Sequence, residues 1–534
     1  MINLIKHLTL VALVFTFANQ AMAVGIDRAK KEISLIIESE PPDLNAMRST
    51  DAVSFQILGH VMEGLTTFDR RGRVAPGVAE KWDIKADKAT FYLRKNAKWS
   101  DGKPVTAHDF VFAWQTVVNP KTASQYAFIM YPIVNAEAIN TGKMKPSTLG
   151  VKALDDYTLE IKLAKPTGYF LGLTNFATFY PARKDVFEKY GEKYASKADH
   201  SVYNGPFKLA KWVHGASLRL EKNEMYWNKK KIFLNAINIP YITRDQNTKF
   251  NLFKDNKVAF IDKLTSDTIK NAVKNKMKVR KFAEGTVFYH GFNHRQGKPT
   301  ANKNLRKAIQ LVFNQKELVD KVIAIPGFKP ADTLFPNFLK GVNDKFQKEY
   351  PAKPLKQDLV QAKKYLAKAK KELGGKIPPL VLLCDDGENA GKQAQYFQSL
   401  MKNQLGLEVK IDKQIFKQRL EKMTNGDYDI VAAGWGPDYD DVMTFADLLA
   451  SWNENNRGKY NSPTYDKYVR LAQNSADPKT RMDAFGKLQN IITEDVALLP
   501  NFERGVVYLN DPKLKGVLRL VVGPDPLFIH ARFK

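Results

Sequence analysis

The sequence predicts a mixed α/β fold divided over two or three domains. Its 534 residues exceed what a single hydrophobic core usually supports. Segments with strand patterning alternate with segments of helical spacing along the whole chain. With 44% hydrophobic and 11% aromatic residues, the chain also carries the apolar material that a disordered polymer lacks.

The first residues have the pattern of a secretory leader, expected over 1–23. Lys6 and His7 supply a basic start, Leu8 to Ala18 an apolar segment, and Ala21-Met22-Ala23 a small-residue cleavage site. No cysteine stands at that junction, so no lipid anchor is expected, and no later apolar run of ~18 residues offers a membrane span. The expected product is exported to a periplasm as a monomer. Cys384 is the only cysteine, which excludes an intramolecular disulfide, so stability must come from core burial. The formal net charge of +27 raises nucleic acid as a partner, but the lysines are scattered and an exported chain rarely meets it. No nucleic-acid partner is expected, and the charge reads as solubility or attraction to anionic envelope surfaces.

Ile33 to Ile37 is an expected strand, closed by Glu40-Pro-Pro-Asp-Leu-Asn. Phe55, Leu58, Val61, Met62 and Leu65 recur on one face of a helix expected over 53–65. After a strand from Ala89 to Arg94, an Asp101-Gly102 turn precedes a helix whose N-cap is Thr106, with Asp109 three residues on to meet the free amides. Further strands are expected at Tyr157–Leu163 and Leu407–Asp412. A helix over 355–373 closes at Gly374-Gly375, and its lysine face (Lys363, Lys364, Lys368, Lys370, Lys371) reads as solvated.

The stretch Tyr428–Asp441 runs against the basic background, with Asp427, Asp429, Asp438, Asp440 and Asp441 crowded together. Ile430 to Ala433 read as a short buried strand. Gly434-Trp-Gly-Pro breaks it and would deliver Trp435 and Asp438 to the end of a sheet, where ligands are commonly met. On the residues alone, Asp438 is equally a cation anchor or the cap of a helix beginning near Val442.

Enzyme motifs are weak. Ser100/Lys103 and Ser399/Lys402 fit a Ser-x-x-Lys pattern without its companion motifs. His290 and His294 are four apart but flank Gly291 and Asn293, a poor helical metal face. Asp438 and Asp440 form a possible acid and base pair without a supporting sugar-site signature. No catalytic, metal or cofactor site is expected.

Several blocks together carry a resemblance: Lys98–Trp114, Tyr203–Trp212, Leu220–Trp227, Asn293, Asn304–Ile309 and Ala433–Tyr439. In this order they resemble the extracytoplasmic solute-binding proteins of peptide ABC transporters. The resemblance implies a two-lobed, type II-like periplasmic binding protein with mixed sheets, a hinge between lobes and an extra subdomain in the first. It places the lobe I core at 24–61, 185–287 and 505–534, the extra subdomain at 62–184 and lobe II at 288–504, with crossings near Phe288 and Arg504. It implies an oligopeptide ligand, an inner-membrane ABC permease as partner, and no catalysis.

Position by position, it makes Asp438 the anchor of the peptide amine and lays Tyr126 against the start of the peptide. Gly434 and Trp435 pair with the ligand main chain, Asp51, Ala52 and Val53 supply an opposing extended segment, and Phe416 lines a side-chain pocket. For Trp435, Phe416 and Tyr126 the alternative is ordinary core packing. The chain departs from enterobacterial oligopeptide receptors where those hold the ligand carboxylate: Ala432, Met423 and Ala390 stand at the corresponding places. Lys422 or Arg419 remain as substitutes, or the end is solvated as in long-peptide receptors. Rival readings are a same-fold receptor for a murein peptide, haem or metal chelate, a hydrolase using Asp438 and Asp440, and a basic envelope-binding protein.

Overall fold

The computed structural model describes residues 23–534, so the expected leader lies outside the described residues, Ala23 apart. A five-stranded sheet runs, in spatial order, Ile26–Asp27, Glu32–Ile37, Ala236–Ile242, Ser217–Lys222 and Phe207–Val213. Glu32–Ile37 and Ala236–Ile242 pair in parallel, although some 200 residues separate them, and the other neighbours are antiparallel. The expected strand 33–37 is therefore central. It is buried along most of its length, Ser34 included, as its mostly apolar composition requires.

A second, antiparallel sheet of four strands uses only residues between Ala79 and Lys162, in the order Ala79–Ile84, Lys88–Leu93, Thr158–Lys162, Val151–Asp155. It packs with the helix Ala107–Val118, whose Asp109 carboxylate accepts from the Thr106 N–H at 2.8 Å and from Trp99 Nε1–H at 3.1 Å. The capping expectation at Thr106 is met by this return bond.

The third sheet has seven strands. Its backbone is a pair of 13-residue antiparallel strands, Arg280–Phe292 and Leu498–Asn510, with Phe288 opposite Phe502. Ile430–Trp435, Leu380–Asp385 and Val409–Gln414 follow on the far side of Arg280–Phe292. The register of the long pair slips between Ala283 and Val287. Gly285 sits in that slip at φ +75°, and a Cβ there would stand 2.7 Å from the Phe338 ring. The bulge turns Glu284 toward the guanidinium of Arg504, with which it forms an ion pair.

Two helices are shorter than their apolar spacing predicts. The first is Ala52–Val61 and not 53–65, because Met62 leaves it extended and Gly64 passes so close to Thr174 that a Cβ would lie 2.4 Å from its carbonyl. The other is Leu359–Glu372, begun by Asp358, whose carboxylate accepts from the Gln361 N–H at 2.9 Å. Its five lysines are exposed, in keeping with a solvated face. Among the described residues no helix is long and apolar enough to cross a membrane.

Candidate ligand cleft

A cleft of about 460 Å³ opens between the five-stranded and seven-stranded sheets. Strand Ile430–Trp435 forms part of its wall. On one side this strand pairs with Arg280–Phe292 along its whole length. On the other it pairs with Leu380–Asp385 only at Ile430 and Val431. From Ala432 onward that edge has no strand neighbour among the described residues, and Ala433, Gly434 and Trp435 line the cleft. In an antiparallel ladder alternate backbone groups point away from the partner, so this edge offers donors and acceptors to an added strand. Gly434 is exposed, and a Cβ on it would come within 3.0 Å of the Phe288 ring.

Beyond the strand, Thr444 pins the turn at two points. Its carbonyl accepts from Trp435 Nε1–H at 2.7 Å, and its hydroxyl accepts from the Asp438 N–H at 3.0 Å. Trp435 is buried and stacks on Tyr126, with ring centroids 6.3 Å apart and planes 21° apart. Tyr126 is buried too, set against Phe176 and Phe55, and its hydroxyl lies 3.2 Å from both carboxylate oxygens of Asp438. Packing and exposure to the cleft therefore coexist in Tyr126 and Trp435.

Asp438 is half-buried, lines the cleft and forms no ion pair among the described residues. Burial pushes its carboxyl up to about 8, and the Tyr126 hydroxyl offsets this only in part. The neighbouring carboxylates are engaged elsewhere. Asp441 accepts from the Met443 N–H at 2.9 Å and pairs with Arg481 at 2.8 Å, so the N–H that opens the short helix Met443–Ala446 is met by Asp441 and not by Asp438. Asp440 is exposed and held by Lys340 at 2.7 Å. Buried Asp429 accepts from the Val381 N–H at 2.8 Å, and Asp427 is exposed. Asp447, absent from the sequence reading, is buried behind the Tyr439 hydroxyl; burial and Asp438 hold its carboxyl well above the usual range.

Asp51, Ala52 and Val53 also line the cleft, but not as an extended segment. Asp51 is the last extended residue and the N-cap of Ala52–Val61; its carboxylate accepts from the Val53 and Ser54 N–H groups at 3.0 and 2.9 Å. Ala52 and Val53 are the first residues of the helix and the Val53 amide is spent on the cap, so they do not form the extended segment expected from the resemblance. Phe416 opens the helix Phe416–Asn425, half-buried at the cleft, with the guanidinium groups of Arg419 and Arg244 at 5.3 and 5.8 Å from its ring.

Neither substitute for a carboxylate anchor is free. Lys422 is paired with Asp412 at 2.5 Å, and Arg419 with Asp385 at 3.2 Å while donating to the Ala432 carbonyl at 3.2 Å. Met423 and Ala390 line the cleft without charge. Arg457, which the sequence reading did not single out, does reach it. The remaining motifs are occupied structurally. Ser100 Oγ accepts from the Tyr203 N–H at 3.1 Å while Lys103 pairs with Asp185 at 2.9 Å. Ser399 Oγ accepts from Asn403 at 3.2 Å. His290 meets Asn501 at 3.1 Å and His294 the Ala497 carbonyl at 2.9 Å.

A sequence profile of the bacterial extracellular solute-binding proteins, family 5 (middle region), matches residues 73–457. The chain is 32% identical over 519 residues to the oligopeptide-binding protein OppA of Bacillus subtilis, covering 95% of this chain and 93% of that one. The structure of Listeria monocytogenes OppA bound to peptide superimposes with a TM-score of 0.89 at 35% identity, over 95% of this chain and 99% of the other. The murein tripeptide binding protein MppA of Escherichia coli gives 0.85 at 29% identity, over 94% and 98% of the two chains. An unliganded open form of MppA gives only 0.63 at 28% identity, over 96% and 98%, so the lobes here are arranged unlike that open form. The chain belongs to the family 5 extracellular solute-binding proteins, and its fold is the two-lobed binding-protein fold of that family.

Proposed function

We propose that this protein is an exported receptor that captures oligopeptides in the cleft, closes on them by hinge motion and hands them to an inner-membrane ABC permease. The observation that carries the reading is the cleft-facing carboxylate of Asp438, without a cation of its own, next to the strand edge Ala433–Trp435, which has no strand neighbour among the described residues. A peptide supplies both complements: an ammonium for the carboxylate and amides and carbonyls for the edge. Backbone pairing gives affinity without reading sequence, at about 0.5–1.5 kcal/mol net per bond. Relatives that bear the name oligopeptide-binding protein support the same ligand class.

In this reading Tyr126 orients the anchor, Trp435 floors the first side-chain site and Phe416 walls a later one. The lobe division of this reading keeps the four-stranded sheet inside 62–184 and sets the crossing beside the bulge at Glu284 and Arg504. Hinge closure about such a crossing belongs to the repertoire of periplasmic receptors. The protein acts as a periplasmic monomer, binds no nucleic acid and catalyses nothing. Asp440 is bound to Lys340 at the surface, so it is not placed to work with Asp438 as the acid and base pair of a hydrolase. A ligand without an amine, such as haem or a metal chelate, has no use for Asp438.

Native mass spectrometry of the protein purified without denaturation tests this. The expected spectrum shows retained ligands whose masses and fragments are those of peptides with free amino termini. Retention of one non-peptide species, with added peptides unable to displace it, overturns the reading.

A further inference from the structure

Arg457 is 9% exposed, lines the cleft and has no carboxylate partner among the described residues. One Nη donates to the Gln125 side-chain oxygen at 2.9 Å and to Thr50 Oγ1 at 3.4 Å, while Nε finds no acceptor. Asn455, 6% exposed, donates to the Gln125 carbonyl at 3.3 Å, and its side-chain oxygen is also without a partner. The titratable groups that act most on the guanidinium are Tyr289, Tyr126, Arg419 and Tyr428, none of them an anion at neutral pH. A buried charge is ordinarily paired, and leaving it unpaired is costly. A side cavity of about 40 Å³ adjoins the cleft here, sharing Tyr289, Met423, Asn455 and Arg457 with it.

Position decides what this pair of groups would meet. Arg457 holds Gln125, and the next residue, Tyr126, holds Asp438. Adjacent Cα atoms are about 3.8 Å apart, so the two opposite charges lie within reach of the first few residues of one extended peptide. We propose that Arg457 and Asn455 form a carboxylate subsite beside the amine anchor, which favours peptides that place a carboxylate within their first three residues. The carboxylate comes from an acidic side chain there or from the C-terminus of a short peptide. Arg457 Nε and Nη donate to it, and the Asn455 oxygen accepts a ligand amide N–H. The proposal rests on the peptide-receptor reading, and it supplies from another part of the chain the cation that Ala432, Met423 and Ala390 lack.

The test is calorimetry on the full exported chain, freed of retained ligand by unfolding and refolding. One arm titrates Ala-Gln-Ala-Ala against Ala-Glu-Ala-Ala, with the Gln/Glu pair also placed first and third. The other titrates Ala-Ala and Ala-Ala-Ala against their C-terminal amides. The expected result is a preference of about tenfold or more for the acid form in at least one pair, the size of a charge-assisted hydrogen bond. In Arg457→Gln that ratio falls to about one while affinity for the neutral partner stays within about threefold; Arg457→Lys keeps part of the preference. The pair that responds tells side chain from C-terminus. Neutral peptides that bind with no acid preference at any position, or a preference that survives Arg457→Gln, overturn the subsite and leave the receptor reading standing. Failure of every peptide to bind overturns both. The wild-type ratios need no variant, so a poorly folding substitution does not spare the proposal.

Discussion

Asp438→Asn weakens the binding of a free-amine peptide by about 3–5 kcal/mol, roughly a hundred- to several-thousand-fold, because it removes one member of an ion pair that closure takes out of water. The fold survives, since the Asp438 backbone makes the bond to Thr444 and an amide can still accept from Tyr126. Circular dichroism and calorimetry separate the two effects. The pH dependence follows from the same group. Burial raises its carboxyl from the ordinary value of 3.8 to about 8, so ionising it costs folding energy as pH rises through that interval. The ligand-free wild type therefore loses stability between about pH 4 and pH 8, and Asp438→Asn, which cannot ionise, unfolds no earlier than wild type at pH 8. Binding runs the other way. A bound ammonium favours the carboxylate, so below pH 8 each peptide that binds displaces a proton, and affinity climbs by up to about tenfold per pH unit toward pH 8. Above that the peptide amine itself loses its proton, near 7.7–8.0. The slope disappears in Asp438→Asn.

Lys249→Ala lowers stability by about 3–5 kcal/mol at neutral pH. Lys249 is fully buried at the cleft, 2.6 Å from Glu38 and 2.8 Å from the Asp262 carbonyl. Without it Glu38 keeps only the more exposed Lys263, at 3.6 Å, and Arg244 nearby. Burial opposes the Glu38 charge, but the cations outweigh it and hold its carboxyl down at about 2, below its ordinary value of 4.5. A depressed carboxyl gives stability that is complete above its unfolded value and lost as pH falls through the folded one. The gap between wild type and variant is therefore full above about pH 4.5 and narrows toward pH 2. Urea midpoints across that range measure it. A constant gap would mean that the loss came from the missing side-chain packing and not from the charge pair.

Local signals in the sequence were readable where the structure is locally determined. The Thr106/Asp109 cap and the buried strand at Ile33–Ile37 stand where residue chemistry puts them. The strand expected to break after Ala433 instead runs on through Gly434 and Trp435, because Phe288 and Val287 of the neighbouring long strand pair with them. Asp51 shows a local signal overridden by resemblance: Asp followed three residues later by a Ser is a fair N-cap, and the structure uses it so. The division of labour among the acidic residues was not readable. It depends on partners far along the chain, Arg481 for Asp441, Lys340 for Asp440, and Tyr126 for Asp438 at a separation of 312 residues. Arg457 was hidden for the same reason. Its contacts to Gln125 and Thr50 span 332 and 407 residues, and nothing in its own neighbourhood sets it apart from other arginines.

The central claim is that the cleft holds a peptide by its amine at Asp438. Titrating wild type and Asp438→Asn with one peptide, free and N-acetylated, tests it in a single thermodynamic cycle. The account predicts that acetylation costs wild type about a hundredfold or more in affinity and costs the variant little, because both changes remove the same pair. Equal affinity of wild type for the free and acetylated peptides would contradict it.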